Sequence, residues 1–282
     1  MPQVDPTRIR QTQRAPDNDE TRQVIQLADS ADARRAKVKL AAAYRLIAHH
    51  GLDAGIAGHI SLRVPGAPRY FWVNPFGLLF QEVTAANLVL INDRGEIVTG
   101  GNLINYSAFC IHAAIHQARP DICCAVHTHP PAGTAYSALG VPLEPLDQSG
   151  CGFFEDHAVY SEYEGIVIDP RQARGIVSAL ADKRALILAN HGLLTCAATV
   201  EQAVIDMLDF ERTCDVNLRA MATGLPLRSV PPEAARQARA VLTQPTRWPF
   251  LWQALIRDLH RHHTDYDPHG WGSRPEEAAL VP

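Results

Sequence analysis

A short apolar run that ends in two alternate histidines constrains this chain more than any other stretch. Residues 122–126 are typical of a buried β-strand, and His127 and His129 follow two positions apart. Side chains at positions i and i+2 of a strand lie on the same face, so both imidazoles point to one place. Pro130 ends the strand directly after the pair. The pattern predicts two converging metal ligands at the end of a strand.

A second apolar run adds a third histidine. Residues 185–189 indicate another buried strand, and the turn Asn190-His191-Gly192 follows it. Three histidines from two strand ends leave room for water or substrate, as in catalytic rather than closed structural zinc sites. Histidines that hydrogen-bond within turns would give the same pattern, and His-x-His arises by chance in a chain with 13 histidines. Spacing alone leaves both interpretations open.

The order and spacing of several motifs resemble the class II aldolase/adducin family. Besides A-V-H-T-H and N-H-G-L-L, the chain carries G-I-A-G-H-I-S and the pattern H-x3-H-Q-A-R-P-D. The resemblance covers roughly residues 35–222. It implies an α/β fold, a three-layer α/β/α domain with a mostly antiparallel central sheet, often assembled as a homotetramer with active sites at subunit boundaries. It also implies a divalent metal, Zn²⁺ in the first instance, held by His127, His129 and His191.

Two departures from the family pattern bear on the reaction. The acid/base glutamate of the family enzymes falls on Ala108, and residues 105–116 contain no carboxylate. A methyl group cannot carry a proton, so ordinary phosphosugar aldolase activity is not expected. In the turn that helps to hold phosphate in those enzymes, Ile56 and His59 replace a hydroxyl residue and an asparagine. We expect a small, non-phosphorylated substrate, with His59 as a substrate contact or a proton carrier.

The resemblance also points to loops that contribute to the substrate pocket. The turn from Asn74 to Gly77 forms part of that pocket in the family, and Ser107 precedes the position of the missing glutamate. Gln148 lies in a segment that reaches a neighbouring subunit's pocket in relatives. These four residues are expected to bind substrate, and Glu155 is a carboxylate that could replace the glutamate.

The rest of the chain is predicted to be one domain with two extensions. Residues 1–30 are polar with little apolar periodicity, and we expect a flexible N-terminal arm. The domain is assigned to residues 31–224, and residues 225–282 are expected to form a helical extension with a loose tail. A helix predicted over 105–117 places His112 and His116 on one face. We expect one of them to be packed and hydrogen-bonded and the other to be exposed.

Composition excludes several classes of protein. The net charge of -4 is too mild to indicate nucleic acid or an anionic membrane as a partner. No apolar run is long enough to span a bilayer, and the N-terminus lacks the apolar region of a secretory signal. The six cysteines are irregularly spaced and lie in apolar segments, which indicates buried thiols in a reducing cytoplasm.

Three functions are compatible with these features. The first is a metal-dependent lyase of the aldehyde-lyase type that cleaves a C–C bond of a carbonyl or hydroxy-acid substrate by retro-aldol reaction or decarboxylation. Decarboxylation suits a Lewis acid without a carboxylate base, because it needs no proton abstraction at carbon. The second is a non-haem Fe²⁺ oxygenase acting on an aryl-pyruvate-type substrate, as in some relatives from antibiotic pathways. The third is a non-enzymatic binding protein like the adducin head, against which the intact histidine motifs argue.

Overall fold

The computed structural model describes residues 13–101, 103–163, 165–167 and 170–272. The strands in this part of the chain form one sheet in the order β4-β3-β2-β1-β5-β8-β7-β6. They are β1 (His59–Val64), β2 (Ala67–Val73), β3 (Val89–Asn92), β4 (Ile97–Thr99), β5 (Cys124–Thr128), β6 (His157–Tyr160), β7 (Ala185–Leu188) and β8 (Gly192–Ala197). Only the β6–β7 pairing is parallel among the strands described. The prediction of a mostly antiparallel sheet is confirmed.

Helices begin and end where local sequence signals place them. They are α1 (Asp19–Ala28), α2 (Ala31–His49), α3 (Tyr106–Ala118), α4 (Pro131–Ser137), α5 (Pro170–Leu180), α6 (Val200–Ala222), α7 (Pro232–Leu242) and α8 (Arg247–Leu259). Side-chain oxygens of Ser30, Asn105 and Thr199 accept backbone N–H groups at the starts of α2, α3 and α6. Gly51 and Gly224 follow α2 and α6 with φ of +68°, a conformation that favours glycine.

Two apolar cores lie on opposite faces of the sheet. Ile60, Leu62 and Trp72 pack with α2, α6 and α8 on one face. Phe71 and Leu186 pack with α3 and α5 on the other face. Because neighbouring strand residues point to opposite faces, these two sets alternate along the chain. The arrangement confirms the predicted three-layer α/β/α fold.

The N-terminal segment differs from the expected flexible arm. Residues 19–28 form α1, and Val24 and Ala28 of this helix are buried. The Glu20 carboxylate accepts a hydrogen bond from the Tyr70 hydroxyl at 2.8 Å. Residues 1–12 lie outside the described part of the chain. The arm interpretation is therefore wrong for α1, which packs against the domain.

The residues assigned to the C-terminal extension include α7 and α8, and α8 packs on the domain. Trp248, Trp252 and Leu259 of α8 belong to the same buried cluster as α2 and α6. The last ten residues of the expected tail lie outside the described ranges. The six cysteines, all in the described ranges, form no disulfide with one another, and all but the half-buried Cys123 are buried. Within those ranges no helix is both long and apolar enough to cross a bilayer.

Candidate metal centre

Three imidazoles converge where β5 ends and where β7 turns into β8. The Nε2 atom of His127 lies 3.0 Å from Nε2 of His129 and 3.2 Å from Nε2 of His191. The candidate ligand atoms of the three residues all lie within 4.8 Å of one another. Zinc–nitrogen bonds of about 2.05 Å at tetrahedral angles would separate two ligand nitrogens by about 3.3 Å. The triad is therefore close to the spacing that one divalent metal requires.

Local backbone geometry brings the third histidine to the pair. Asn190 has φ of +56°, in the left-handed region that asparagine tolerates better than most residues, and it forms the turn with His191. At Gly192 an added Cβ would lie 2.5 Å from the carbonyl oxygen of Thr128 and 2.9 Å from Cδ2 of His129. Only glycine allows β8 to approach the end of β5 this closely. The N-H-G motif thus has a steric explanation.

The triad is prepared to bind a cation through neutral rings. Nδ1 of His127 lies 2.8 Å from the carbonyl oxygen of Leu193 and donates a proton to it, which leaves the lone pair on Nε2. Burial lowers the pKa of His129, and burial together with a charge on His129 lowers the pKa of His191 to about 4. At neutral pH all three rings are uncharged, and their donor set suits zinc or another transition metal.

His59 stands directly beside the triad. It pairs with His127 across β1 and β5, and the two ring centroids are 4.8 Å apart. His59 is 2% exposed, and its Nδ1 lies 2.6 Å from Nε2 of His112. Burial and neighbouring imidazoles lower the pKa of His59 well below its usual value. A neutral, tightly held ring therefore adjoins the candidate metal ligands.

The expectation that His112 or His116 would be exposed is wrong. Both are buried, at 1% and 2% exposure, and both hydrogen-bond to the hydroxyl of Ser61. The reason is that β1 presents His59, Ser61 and Arg63 at alternate positions to the helix face that carries both histidines. Two sequence signals pointed to this contact: polar residues at i, i+2 and i+4 in β1, and histidines at i and i+4 in α3. Nevertheless, no role was assigned to Ser61 or Arg63 from the sequence.

A small, partly open pocket borders His191. Its wall is mainly apolar and aromatic, with one carboxylate. The lining includes Tyr160, Glu162, Tyr163, Val167, Ile176 and Leu188. The enclosed space of about 20 Å³ is little more than one water molecule needs. These wall residues were not identified from the sequence.

The four residues expected to contact substrate make no hydrogen bond or ring contact with the triad among the described residues. Asn74 is buried, and its backbone N–H and side-chain oxygen both bond to the Tyr44 hydroxyl, at 2.9 and 3.0 Å. Ser107 donates its backbone N–H to Asn105 at the start of α3. Gly77 has φ of +94°, and Gln148 is exposed beside the Gly150–Phe153 turn. Their substrate roles remain predictions.

No carboxylate replaces the family glutamate within α3. Ala108 is buried in the first turn of that helix, which carries no acidic side chain there. Glu155, the proposed substitute, accepts three hydrogen bonds from Arg236 of α7, at 2.8, 3.0 and 3.2 Å. Within one chain, the Glu155 carboxylate is therefore engaged in an ion pair.

The structure thus combines a three-layer α/β/α domain with three histidines that could hold a metal ion at one end of its sheet. Sequence comparison gives the family. The profile of the Class II Aldolase and Adducin N-terminal domain matches residues 38–218. The chain belongs to the class II aldolase and adducin family, which confirms the resemblance found in its motifs.

Several relatives carry names of enzymes. A putative aldolase class 2 protein of Pseudomonas aeruginosa is 35% identical over 249 residues, which are 86% of this chain and 95% of the relative. Decarboxylase NovR of Streptomyces niveus is 38% identical over 202 residues, 71% of this chain and 74% of the relative. A 4-hydroxy-3-prenylphenylpyruvate oxygenase/4-hydroxy-3-prenylbenzoate synthase of Streptomyces roseochromogenus subsp. oscitans is also 38% identical over 202 residues, 71% of this chain and 73% of the relative.

Solved structures share the fold. An aldolase II superfamily protein from Pseudomonas syringae has a TM-score of 0.78 and 40% sequence identity, and the match covers 83% of this chain and 95% of that one. L-fuculose 1-phosphate aldolase from Glaciozyma antarctica has a TM-score of 0.74 and 34% identity, with 83% and 92% covered. Both matches cover most of this chain, in line with the family assignment.

Proposed function

We propose that this protein is a divalent-metal-dependent lyase that cleaves a C–C bond of a small, non-phosphorylated carbonyl or hydroxy-acid substrate. The observation that carries the proposal is the convergence of three neutral imidazoles, with their ligand atoms within 4.8 Å of one another. His127, His129 and His191 would hold the metal. Three protein ligands leave a coordination position for substrate, which is the signature of catalytic sites.

A bound metal would supply Lewis acidity toward a substrate carbonyl. The protein contributes the remaining functions through its own side chains. The Leu193 carbonyl holds the His127 ring in the tautomer that exposes the Nε2 lone pair. His59, buried next to His127, is the adjacent polar group available to contact a substrate oxygen. The open pocket beside His191 would give a substrate access to the centre.

The missing carboxylate favours decarboxylation or retro-aldol cleavage over sugar-phosphate chemistry. With alanine at position 108, α3 offers no group in its first turn that could remove a proton from carbon. In a decarboxylation, the electron pair of the breaking C–C bond moves toward the carbonyl, and CO₂ departs without prior deprotonation at carbon. The 38% identical relative NovR is named a decarboxylase, which supports this choice among family reactions.

The alternative is a non-haem Fe²⁺ oxygenase acting on an aryl-pyruvate-type substrate. The 38% identical relative named as a prenylphenylpyruvate oxygenase supports it. Tyr160 and Tyr163 in the cavity wall would suit an aromatic substrate. Three histidines can also hold iron, although the commonest oxygenase triad includes a carboxylate.

The metal content of the purified protein tests the proposal. Protein prepared without chelator and without a histidine tag is expected to contain about one ion per chain. The His129→Ala variant is expected to lose it, whereas His269→Ala, which changes an exposed histidine outside the triad, should retain it.

The identity of the metal separates the candidates. Zinc, together with product formation from non-phosphorylated aldols or keto acids, would support the lyase. Iron, together with oxygen uptake on addition of aryl-pyruvates, would support the oxygenase instead. Absence of metal from both the unaltered protein and His129→Ala would overturn the lyase and the oxygenase proposals. It would favour a binding scaffold like the adducin head. Sedimentation would test the homotetramer that we propose by analogy with the family.

A further inference from the structure

A continuous chain of buried hydrogen bonds leads from α3 to the candidate metal centre. His59 Nδ1 lies 2.6 Å from His112 Nε2, and His112 Nδ1 lies 2.5 Å from Ser61 Oγ. Ser61 Oγ lies 2.7 Å from His116 Nε2, and His116 Nδ1 lies 3.3 Å from Nη2 of Arg63. These contacts join residues that are 51 to 55 positions apart in the sequence. We call these five residues the relay.

The cationic end of the relay determines the direction of its hydrogen bonds. A guanidinium has donors only, so Arg63 donates to His116 and the Nδ1 atom of His116 carries the lone pair. The proton of His116 then resides on Nε2 and is donated to Ser61. The Ser61 hydroxyl in turn donates to His112 Nδ1, and His112 donates through Nε2 to Nδ1 of His59. The last ring must therefore carry its own proton on Nε2.

One contact would favour the opposite direction. His116 Nδ1 lies 3.4 Å from the carbonyl oxygen of Ile122, to which it would donate if it were protonated. The Ile122 carbonyl already accepts hydrogen bonds from Nε and Nη2 of Arg63, at 3.2 and 3.0 Å. A proton on His116 Nδ1 would also face the N–H donors of Arg63 Nη2, which lies 3.3 Å from Nδ1, and two facing donors repel each other. The direction that starts at Arg63 is thus the stable one.

We propose that the relay is a positioning device that holds His59 in its Nε2–H tautomer, so that His59 donates a hydrogen bond to a substrate oxygen at the triad. His59 is the group that touches substrate, and Ser61, His112, His116 and Arg63 act through it. The ring of His59 is held on one side by His112 and lies 4.8 Å, centroid to centroid, from His127. This role rests on the proposed lyase function, because a donor there would stabilise charge that develops on the substrate oxygen.

Burial argues that the relay is more than packing. Ser61, His112 and His116 are each 2% exposed or less, and His116 stacks on Phe71 with ring centroids 5.1 Å apart. Buried polar groups cost free energy unless each is fully hydrogen-bonded, and apolar side chains of similar size would avoid that cost. Here each relay side chain is hydrogen-bonded to the next, and His59 at the end of the relay lies next to the candidate ligand His127. The arrangement matches the outer-shell hydrogen bonds that orient groups in metal sites.

The tautomer of His59 tests the proposal directly. ¹⁵N NMR of protein labelled at histidine, with the His59 signals assigned through their loss in His59→Gln, should place the His59 proton on Nε2. Ser61→Ala removes the central link and should produce a mixture of His59 tautomers. His116→Gln is the matched variant, because its side-chain oxygen can accept from Arg63 while its amide donates to Ser61. It should keep the tautomer found in the unaltered protein.

Kinetics and metal content complete the test. Ser61→Ala should lower kcat about tenfold or more, with kcat/KM falling equally and metal content unchanged, while His116→Gln should retain most of the activity. A His59 proton on Nδ1 in the unaltered protein would overturn the proposal, and so would a Ser61→Ala variant with unchanged tautomer and kcat. The NMR result needs no substrate. An Nε2–H His59 in a protein without lyase activity would therefore contradict the proposed function and leave the relay's effect on the tautomer intact.

Discussion

The contact at Gly192 shows how one residue position controls the geometry of the candidate metal centre. The side of Gly192 where other residues carry a Cβ faces the Thr128 carbonyl and the His129 ring. A Cβ cannot be placed there without a shift of the backbone. Displacing β8 from the end of β5 would move His191 away from the pair. The site therefore depends on a residue that offers no ligand.

We predict that Gly192→Ala weakens metal binding at least tenfold, because the added methyl group separates His191 from His127 and His129. Isothermal titration with Zn²⁺ measures the change. Gly152→Ala is the control, since a Cβ there would meet its nearest neighbour at an ordinary 3.7 Å, and its affinity should equal that of the unaltered protein. Equal zinc affinity in Gly192→Ala would contradict the steric explanation.

The relay histidines make stability depend on pH. Burial lowers the pKa of both His112 and His116 to about 3 in the folded protein. Both titrate near 6.5 in the unfolded chain, which therefore binds more protons below that pH. Their contribution to stability is fully present above pH 6.5 and declines as the pH falls toward 3.

Between pH 6.5 and pH 5, each of these histidines should lower the free energy of unfolding by about 2 kcal/mol. Urea denaturation at several pH values measures the slope. His116→Phe keeps the stack on Phe71 and removes one titrating ring. The slope of its free energy of unfolding against pH should therefore be smaller, by the equivalent of about one proton. Identical slopes for the two proteins would show that His116 is protonated in the folded state as easily as in the unfolded one.

At the scale of single elements, α8 shows that the C-terminal extension belongs to the core. Trp252 is 7% exposed and packs in the cluster shared with α2 and α6, whereas Phe250 of the same helix is 60% exposed. The two aromatic residues lie two positions apart on a helix, so they point to different sides. They form a matched pair for testing the packing of this helix.

Trp252→Ala should lower the free energy of unfolding by about 3–5 kcal/mol, because it leaves a cavity in the main core. Phe250→Ala should change it by less than about 0.5 kcal/mol. Chemical denaturation of both variants measures the difference. Comparable effects of the two substitutions would mean that α8 does not pack on the domain as described.

At the scale of the whole molecule, metal binding and folding should be coupled. The three candidate ligands come from the end of β5 and from the turn between β7 and β8, and they converge only when both are folded. A ligand that binds only the folded state stabilises it, by about 4 kcal/mol when its concentration is a thousand times Kd.

Removing the metal with a chelator should therefore lower Tm by on the order of 10 °C. The same treatment of His129→Ala should leave its Tm unchanged, because that variant has no metal to lose. Differential scanning calorimetry with and without chelator makes the comparison. A chelator effect of equal size in both proteins would indicate a metal site elsewhere in the chain.

Much of the fold and the triad could be predicted because the signals are local. The apolar run that becomes β5 and the histidines directly after it depend on a two-residue period, which any extended strand obeys. The caps of α2 and α6 depend on contacts three residues apart. α1 was missed because its buried positions, Thr21, Val24 and Ala28, lie within an otherwise polar sequence.

The sequence by itself determined the alternation of strand residues, the helix ends and the chemical types that meet at the centre. Only the tertiary structure decided that β1 pairs with β5 and that α3 lies over the polar side of β1. This packing buried both His112 and His116, placed His112 against His59, and joined His116 to His112 through Ser61. The physical reason is that hydrogen bonds between residues more than 50 positions apart depend on the pairing of whole elements, for which no local period exists.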